Sequence, residues 1–404
     1  MIALRPLAMV VFALTGLALP LPGQDTTAAA PDTAYDYHES PISLPLGLGL
    51  RIPGYDRVNG ITLPWGPKLE AGEGKFDIDA LVRYRSNLGK WDPSLEGVIR
   101  PGDDNELKLF VGRGTFTNDD WIRTDLMNSL AVLGVGSDAR NWYRGDRATA
   151  RLSRAFTRTS LIVSPFIGGN LERDWSTGSV APAKSPWSFF GRKGNLKMRR
   201  PNPRAGKGSI TSVFGGTAIE FGRGDLEAKL DATLEKSLRT ALKPDCSGGL
   251  LDVACLQPGG SFTQTTIDGR VYFPTFGTQT FTFKTHAVFT GGAGAAPAQR
   301  FAYLGGSGTL ATVNLLALGG DRLLYVQGDY KMPFERIQLP YLGNPYVALT
   351  YAAGNAGIDR LPSLIQNLGV GVGVGLFRID FSIDPAKNRS PFSRKSAFTF
   401  GASL

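Results

Sequence analysis

"DLEAKLDATLEKSL", residues 225–238, decides between two folds. Residue by residue these are good helix formers, so propensity points to a helix. The period points elsewhere. Leu226, Ala228, Leu230, Ala232 and Leu234 fall at every second position, with Glu227, Lys229, Asp231, Thr233 and Glu235 between them. On a helix, apolar residues at that spacing would spread around the whole axis and bury no face; on a strand they line one side. The stretch is read as a strand with one apolar and one charged face.

The same alternation recurs outward from there. In "KFDIDALVRYR" (75–85), Phe76, Ile78, Ala80, Val82 and Tyr84 oppose Asp77, Asp79, Arg83 and Arg85. "TFTFKTHAVF" (280–289) and "FRIDFSID" (377–384) follow the same rule. A soluble sandwich also alternates. Here, however, the polar face carries charges of both signs and the apolar face repeatedly carries aromatics, which suits lipid outside and a polar lumen inside. Strands are placed near 42–52, 59–70, 75–86, 93–100, 105–117, 147–157, 160–173, 209–222, 225–238, 261–273, 278–291, 322–333, 345–354, 366–376, 377–384 and 396–404. The expected fold is all-β: a single antiparallel transmembrane β-barrel of about 16 strands (12 or 14 are the alternatives) over residues 42–404, with no periplasmic domain. The first strand contains Pro45, and "GVGVGVGLFRIDFSID" offers little turn signal between the fourteenth and fifteenth.

The ends and connections fit this scheme. "MIALRPLAMVVFALTGLALPLPGQD" has a basic Arg5, an apolar run over 7–19 and small residues after it. Residues 1–23 read as a signal peptide, leaving 24–41 as a short periplasmic segment. No later apolar run is long enough for a transmembrane helix. Counted from a periplasmic start, one set of turns is tight (71–74, 101–104, 158–159, 223–225, 274–277). The other set includes the long segments 118–146, 174–208, 239–260 and 292–321. Short periplasmic turns and long external loops are the habit of outer-membrane barrels. The last strand, "SAFTFGASL", is expected to pair with the first and close the sheet.

Net charge is +9, and part of it is concentrated. Lys184, Arg192, Lys193, Lys197, Arg199, Arg200, Arg204 and Lys207 follow one another with no acid between. Such a block suits the phosphates of nucleic acid or of lipid headgroups, or is a solvated loop. In an external loop it would meet lipopolysaccharide, and no nucleic-acid partner is expected. Cys246 and Cys255 lie nearby in a polar stretch and are expected to close a small disulfide in an oxidising compartment.

Enzyme chemistry finds little footing. The glycine-rich stretch "LGGSGTLA" (Leu304, Gly305, Gly306, Gly308, Thr309, Leu310, Ala311) lacks the Lys-Ser/Thr of a phosphate loop and the helix of a dinucleotide fold. It is not a nucleophile elbow either, since Thr309 stands where the last glycine belongs. With only His38 and His286 in the chain, no metal cluster and no cofactor are expected. His286 falls on the polar face of its strand, and is read as a lumen histidine in a polar network rather than the base of a hydrolase.

At this point the chain resembles the BamA/TamA outer-membrane assembly superfamily, the bacterial surface antigen family, over roughly residues 54–404. "GYDRVNGITL" (54–63) resembles the opening segment of its short members, and "MNSLAVLGVGSDARNWYR" (127–144) their Asn-Ser-Leu…Asp…Tyr-Tyr-Arg insertion. "MRRPNP" (198–203) is similar to the Arg-Pro-Asn-Pro turn before a central strand. "RFAYLGGSGTLATV" followed by "GDRLLYVQGDYKMPF" resembles the sixth external loop and the strand after it. The resemblance implies a sixteen-stranded barrel integral to the bacterial outer membrane and a role in protein insertion, secretion or lipid handling. Client proteins, lipids and a periplasmic partner are its implied associates. A passive pore is the alternative.

Two departures stand out. The family's sixth loop carries Leu-Arg-Gly-Tyr/Phe, whose Arg folds inward to an Asp of the thirteenth strand. Here the matching positions read Leu310-Ala311-Thr312-Val313, and Ala352 stands at the expected Asp. A lone buried charge is costly, so losing both together is coherent. The second departure concerns POTRA domains, which assembly members carry before the barrel; the chain resembles the branch without them.

Overall fold

The computed structural model describes residues 42–177, 187–189, 200–246, 255, 260–292, 296–375, 377–386 and 391–402. The expected signal peptide (1–23) and N-terminal segment (24–41) lie outside the described residues.

The deciding stretch forms a strand, Leu226–Lys243, longer than the alternation alone suggested. Leu230 and Leu234 are exposed on one face, while Glu235 turns to the other and is bonded there. Among the described residues nineteen strand segments pair antiparallel in one sheet, and three of its sixteen columns are broken in two. The first half comprises β1 (Ile42–Ser43 and Gly54–Asp56), β2 (Gly60–Trp65 and Lys68–Ala71), β3 (Phe76–Arg85), β4 (Lys90–Ile99), β5 (Asn105–Phe116), β6 (Tyr143–Arg154 and Phe156–Arg158), β7 (Leu161–Ser176) and β8 (Lys207–Arg223). Then follow β9 (Leu226–Lys243), β10 (Phe262–Pro274), β11 (Thr280–Gly292), β12 (Arg322–Pro333), β13 (Tyr346–Gly357), β14 (Ile365–Val374), β15 (Phe377–Ile383) and β16 (Ser396–Ala402). Each column pairs with its neighbours in sequence. No helix among the described residues is long and apolar enough to cross a membrane, which says nothing against crossing by strands.

The outward face is apolar. Val111, Ile167, Leu171, Val213 and Val372 are exposed there, in keeping with a lipid-facing wall. The inward face carries His286, Glu172 and Gln264, all buried.

Two expectations need correction. The strand expected over 42–52 is interrupted by a 3-10 turn at Pro45–Gly47, with Leu46 at φ 54°. Pro45 fixes its own φ and has no N–H to give to the ladder, so the column resumes only at Gly54. The second correction concerns closure: among the described residues no pairing joins β16 to β1. An element from inside stands at that seam instead. Helix α1 (Asp125–Val135), in the connection between β5 and β6, packs on the Gly54–Asp56 segment of β1 and approaches β16.

Candidate functional site

The interior at the long-loop end is filled by two connections: loop 3, between β5 and β6, and loop 6, between β11 and β12. Loop 3 contains α1. Thr124 caps its start by accepting the Met127 N–H, Asp125 sits in the first turn, and Gly136 ends it at φ 69°. These cap signals are legible in "TDLMNSLAVLGVG", a stretch expected only as part of a long loop.

Loop 6 turns on its glycines. Gly305, Gly306 and Gly308 all have positive φ (124°, 85° and 102°). A Cβ on Gly305 would lie 2.3 Å from the Asn314 carbonyl oxygen, so no larger residue fits. The turn is closed by Gly306 N–H to the Leu310 carbonyl (2.9 Å) and by Gly305 N–H to Thr309 Oγ1 (2.9 Å). The glycines therefore serve a tight turn, within which the Gly305 and Gly306 N–H donors are spent. On either side, Ala302–Leu304 pairs with Leu318–Gly320 as a small hairpin.

The tip of loop 6 is anchored chiefly by apolar contact. Leu304, Leu310, Val313 and Leu318 pack against Val288, Leu323, Tyr325, Ala352 and Ala356 of the wall. Leu310 is fully buried and Ala352 lies in the same cluster, so apolar contact occupies the region where the resemblance led us to expect an ion pair. Beside Ala311, Thr312 N–H donates to Asn367 Oδ1 of β14 (3.0 Å), and Asn367 Nδ2 donates back to Thr312 Oγ1 (2.8 Å). Thr312 O also accepts the Arg394 N–H (2.8 Å), tying loop 6 to the last connection.

The root of loop 6 is anchored by charge. Arg300 donates to both carboxylate oxygens of Glu235 on β9 (2.8 and 2.9 Å) and to Glu172 on β7. Arg147 of β6 completes the group by donating to Glu172 Oε2 (2.9 Å). Sequence reasoning missed Arg300. The usable signals were a single arginine in a loop with no other charge before Asp321, and the glutamates on the polar face of β7 and β9.

A third anchor holds β1. Arg57 is 2 % exposed and faces Asp138 of loop 3 (Nε to Oδ2, 3.4 Å). Its other donors reach the carbonyls of Arg140 (3.1 Å) and Arg200 (2.9 Å) and the Asn202 Oδ1 (3.2 Å). Three of the four segments of the resemblance, through Arg57, Asp138 with Arg140, and Arg200 with Asn202, thus meet at one guanidinium. Tyr55 N–H adds a bond to Ser129 Oγ on α1 (2.9 Å). Burial pushes the loop-3 carboxyl of Asp119 up to about 7, although it accepts the Asn141 N–H (2.8 Å).

Of the basic block, Arg192, Lys193, Lys197 and Arg199 lie outside the described residues. Arg200 is a correction: it turns inward, donating to Asn141 Oδ1 (2.5 Å) and the Arg140 carbonyl (3.0 Å). Burial lowers it to about 9, with Arg57 contributing. Arg204 pairs with Asp245 (3.3 Å). Lys207 is exposed at the start of β8. Cys246 and Cys255 are joined as a disulfide. His286 points inward, bonds Asp268 Oδ1 (2.6 Å) and stacks on Trp121 of loop 3 at 4.0 Å.

No protein-family model matches the chain, and no curated protein matches it in sequence. Among solved structures, it is similar to BamA from Haemophilus ducreyi lacking POTRA domains 1-3, with TM-score 0.50 and 12 % identity, covering 86 % of this chain and 68 % of that one. It is also similar to CdiB from Escherichia coli (TM-score 0.48, 12 % identity, 87 % of this chain) and CdiB from Acinetobacter baumannii (TM-score 0.45, 11 % identity, 88 % of this chain). The chain spans 60 % and 58 % of the length of those two. At these identities what is shared with BamA is the fold of its barrel.

Proposed function

We propose that this chain, with the fold of the BamA barrel, works in the outer membrane of a Gram-negative bacterium in protein insertion or secretion, or in lipid handling, with the seam as its working part. The observation that supports this reading is the seam between β16 and β1, which is unpaired among the described residues. An unpaired strand edge presents a row of backbone donors and acceptors that an incoming strand can match. α1 stands beside that edge, and Arg123 of the same loop donates to the Ser307 carbonyl at the tip of loop 6 (2.7 Å). A client strand arriving at the seam would therefore press on the plug. The role needs no catalysis and no cofactor; membrane lipid, client proteins and a periplasmic partner are its associates.

A passive pore makes the opposite demand, an open lumen. Planar-bilayer recordings are expected to show no stable large conductance for the wild-type chain and frequent openings for Arg300→Ala. In cells, depletion is expected to lower the level of other outer-membrane barrels, and co-purification from membranes to capture a client or periplasmic partner. A large steady conductance in the wild-type chain, with other barrels unaffected by depletion, would replace this reading with the pore.

A further inference from the structure

The outward wall of β5 to β9 changes character sharply toward the long-loop end. Val111, Ala148 and Leu171 are cross-strand neighbours and form its last apolar row. One step up the register lie Arg113, Asp146 and Arg173; above them come Trp175, Lys207 and Lys243. Arg239 flanks the apolar row, opposite Thr211.

Two hollows follow this boundary. The lower, about 770 Å³, is lined by Leu95, Val111, Ala148 and Leu171 and reaches up to Arg113, Asp146 and Arg173, which it shares with the upper. The upper, about 340 Å³, is lined by Arg113, Arg173, Trp175 and Lys207, together with Asp146 and the buried Asp174. Asp146 is the acid among these rows, and Arg113 already holds it at 2.6 and 3.0 Å. Among the described residues no carboxylate bonds Arg173, Lys207, Arg239 or Lys243.

We propose that this wall is a binding site for a glycolipid carrying two phosphates and several acyl chains, the lipid A class of lipopolysaccharide. The lower hollow takes an acyl chain and the cations above take the phosphates. Spread decides between lipid classes. Strands lie about 4.8 Å apart, so Arg173 on β7 and the pair Arg239 and Lys243 on β9 stand roughly 10 Å apart, with Lys207 on β8 between them. One phosphodiester headgroup engages a single pair of such charges; two phosphates across a disaccharide engage both sides. Trp175 at the boundary suits the interface, where an aromatic ring meets apolar chains below and charge above. The assignment rests on the outer-membrane reading above, with the long loops outside. It also moves the lipid contact from the basic loop, whose Arg200 and Arg204 are engaged internally, to the wall.

Native mass spectrometry of the delipidated protein in detergent tests it, with bis-phosphorylated lipid A, monophosphorylated lipid A and phosphatidylglycerol as probes. Retention is expected to fall in that order. Arg173→Gln/Lys207→Gln/Lys243→Gln together should weaken the first by about tenfold or more, as loss of charge-assisted bonds predicts. Lys75→Gln at the short-turn end should change nothing, and heat-modifiable gel mobility checks that each variant folds. Equal retention of phosphatidylglycerol, or an unchanged triple variant, overturns the site. Cell-surface labelling of an epitope placed in the loop between β9 and β10 reads orientation separately. Labelled cells with no lipid A preference overturn the site alone, whereas unlabelled cells overturn the placement beneath it.

Discussion

β1 and β16 both show a free strand edge among the described residues, yet they are held in different ways. β1 is two short fragments, but its Gly54–Asp56 segment is tied inward by Tyr55 to Ser129, and Arg57 follows with Asp138, two carbonyls and Asn202. β16 is a continuous strand of seven residues paired along one side to β15, with Phe398 and Phe400 exposed. Regular pairing alone therefore says little about which edge moves. The fragmentary edge is fixed by tertiary contacts, and the well-formed edge depends on one ladder. If the seam opens, β16 is the side expected to swing.

The largest test of that contrast is Arg57→Ala. It leaves Asp138, fully buried, without its guanidinium, and removing one partner of a buried pair costs about 3–5 kcal/mol. Hydrogen exchange read residue by residue should show β16 amides exchanging faster than those of Gly54–Asp56 in the wild type. In the variant the two edges should become alike. Persisting protection of β1 would mean that the clamp does not hold it.

Next comes the tip of loop 6. Leu310→Ala should cost roughly 3 kcal/mol, because the side chain is fully buried in the plug cluster and its loss leaves a cavity. Chemical denaturation in detergent measures it. The contrast sharpens if this change speeds exchange in β16 and leaves β1 protected, since the tip meets the last connection while Arg57 is untouched. Asn367→Ala is smaller, on the order of 1–2 kcal/mol, because it strands the buried Thr312 N–H without breaking apolar contact. Equal slowing or quickening of both edges in these two variants would argue that the plug is one rigid body.

The strand columns were legible because alternation is local: a few consecutive residues in "DLEAKLDATLEKSL" or "TFTFKTHAVF" reveal which side is which. Pro45 warned of the first break for the same reason. The plug was not legible. Arg300 meets Glu235 at a separation of 65 residues and Glu172 at 128, and no local period encodes such a meeting. The apolar cluster that takes the place of the expected ion pair at the tip of loop 6 was also hidden, since Ala311 and Ala352 announce a missing contact without saying what stands in for it. Arg57 lies between these cases. The three segments around it were recognisable one by one, but only the fold brings them to a single side chain.

The smallest expected effect concerns pH and falls on the clamped side. Asp119 lies in loop 3, and its carboxyl is pushed up to about 7 by burial, well above an unfolded aspartate near 3.8. The folded loop therefore binds a proton that the unfolded loop has lost between these values. Stability of the loop is greatest below about pH 4, falls as pH rises toward 7, and is level above that. Exchange of amides around residues 119–141 should accordingly be slower at pH 5.5 than at pH 8, after correction for the intrinsic rate. Asp119→Asn cannot ionise, so it should flatten the profile while leaving β16 unchanged. If β16 follows the same pH profile as loop 3, the two edges are coupled through α1, and the asymmetry between them is a matter of degree rather than of separate anchors.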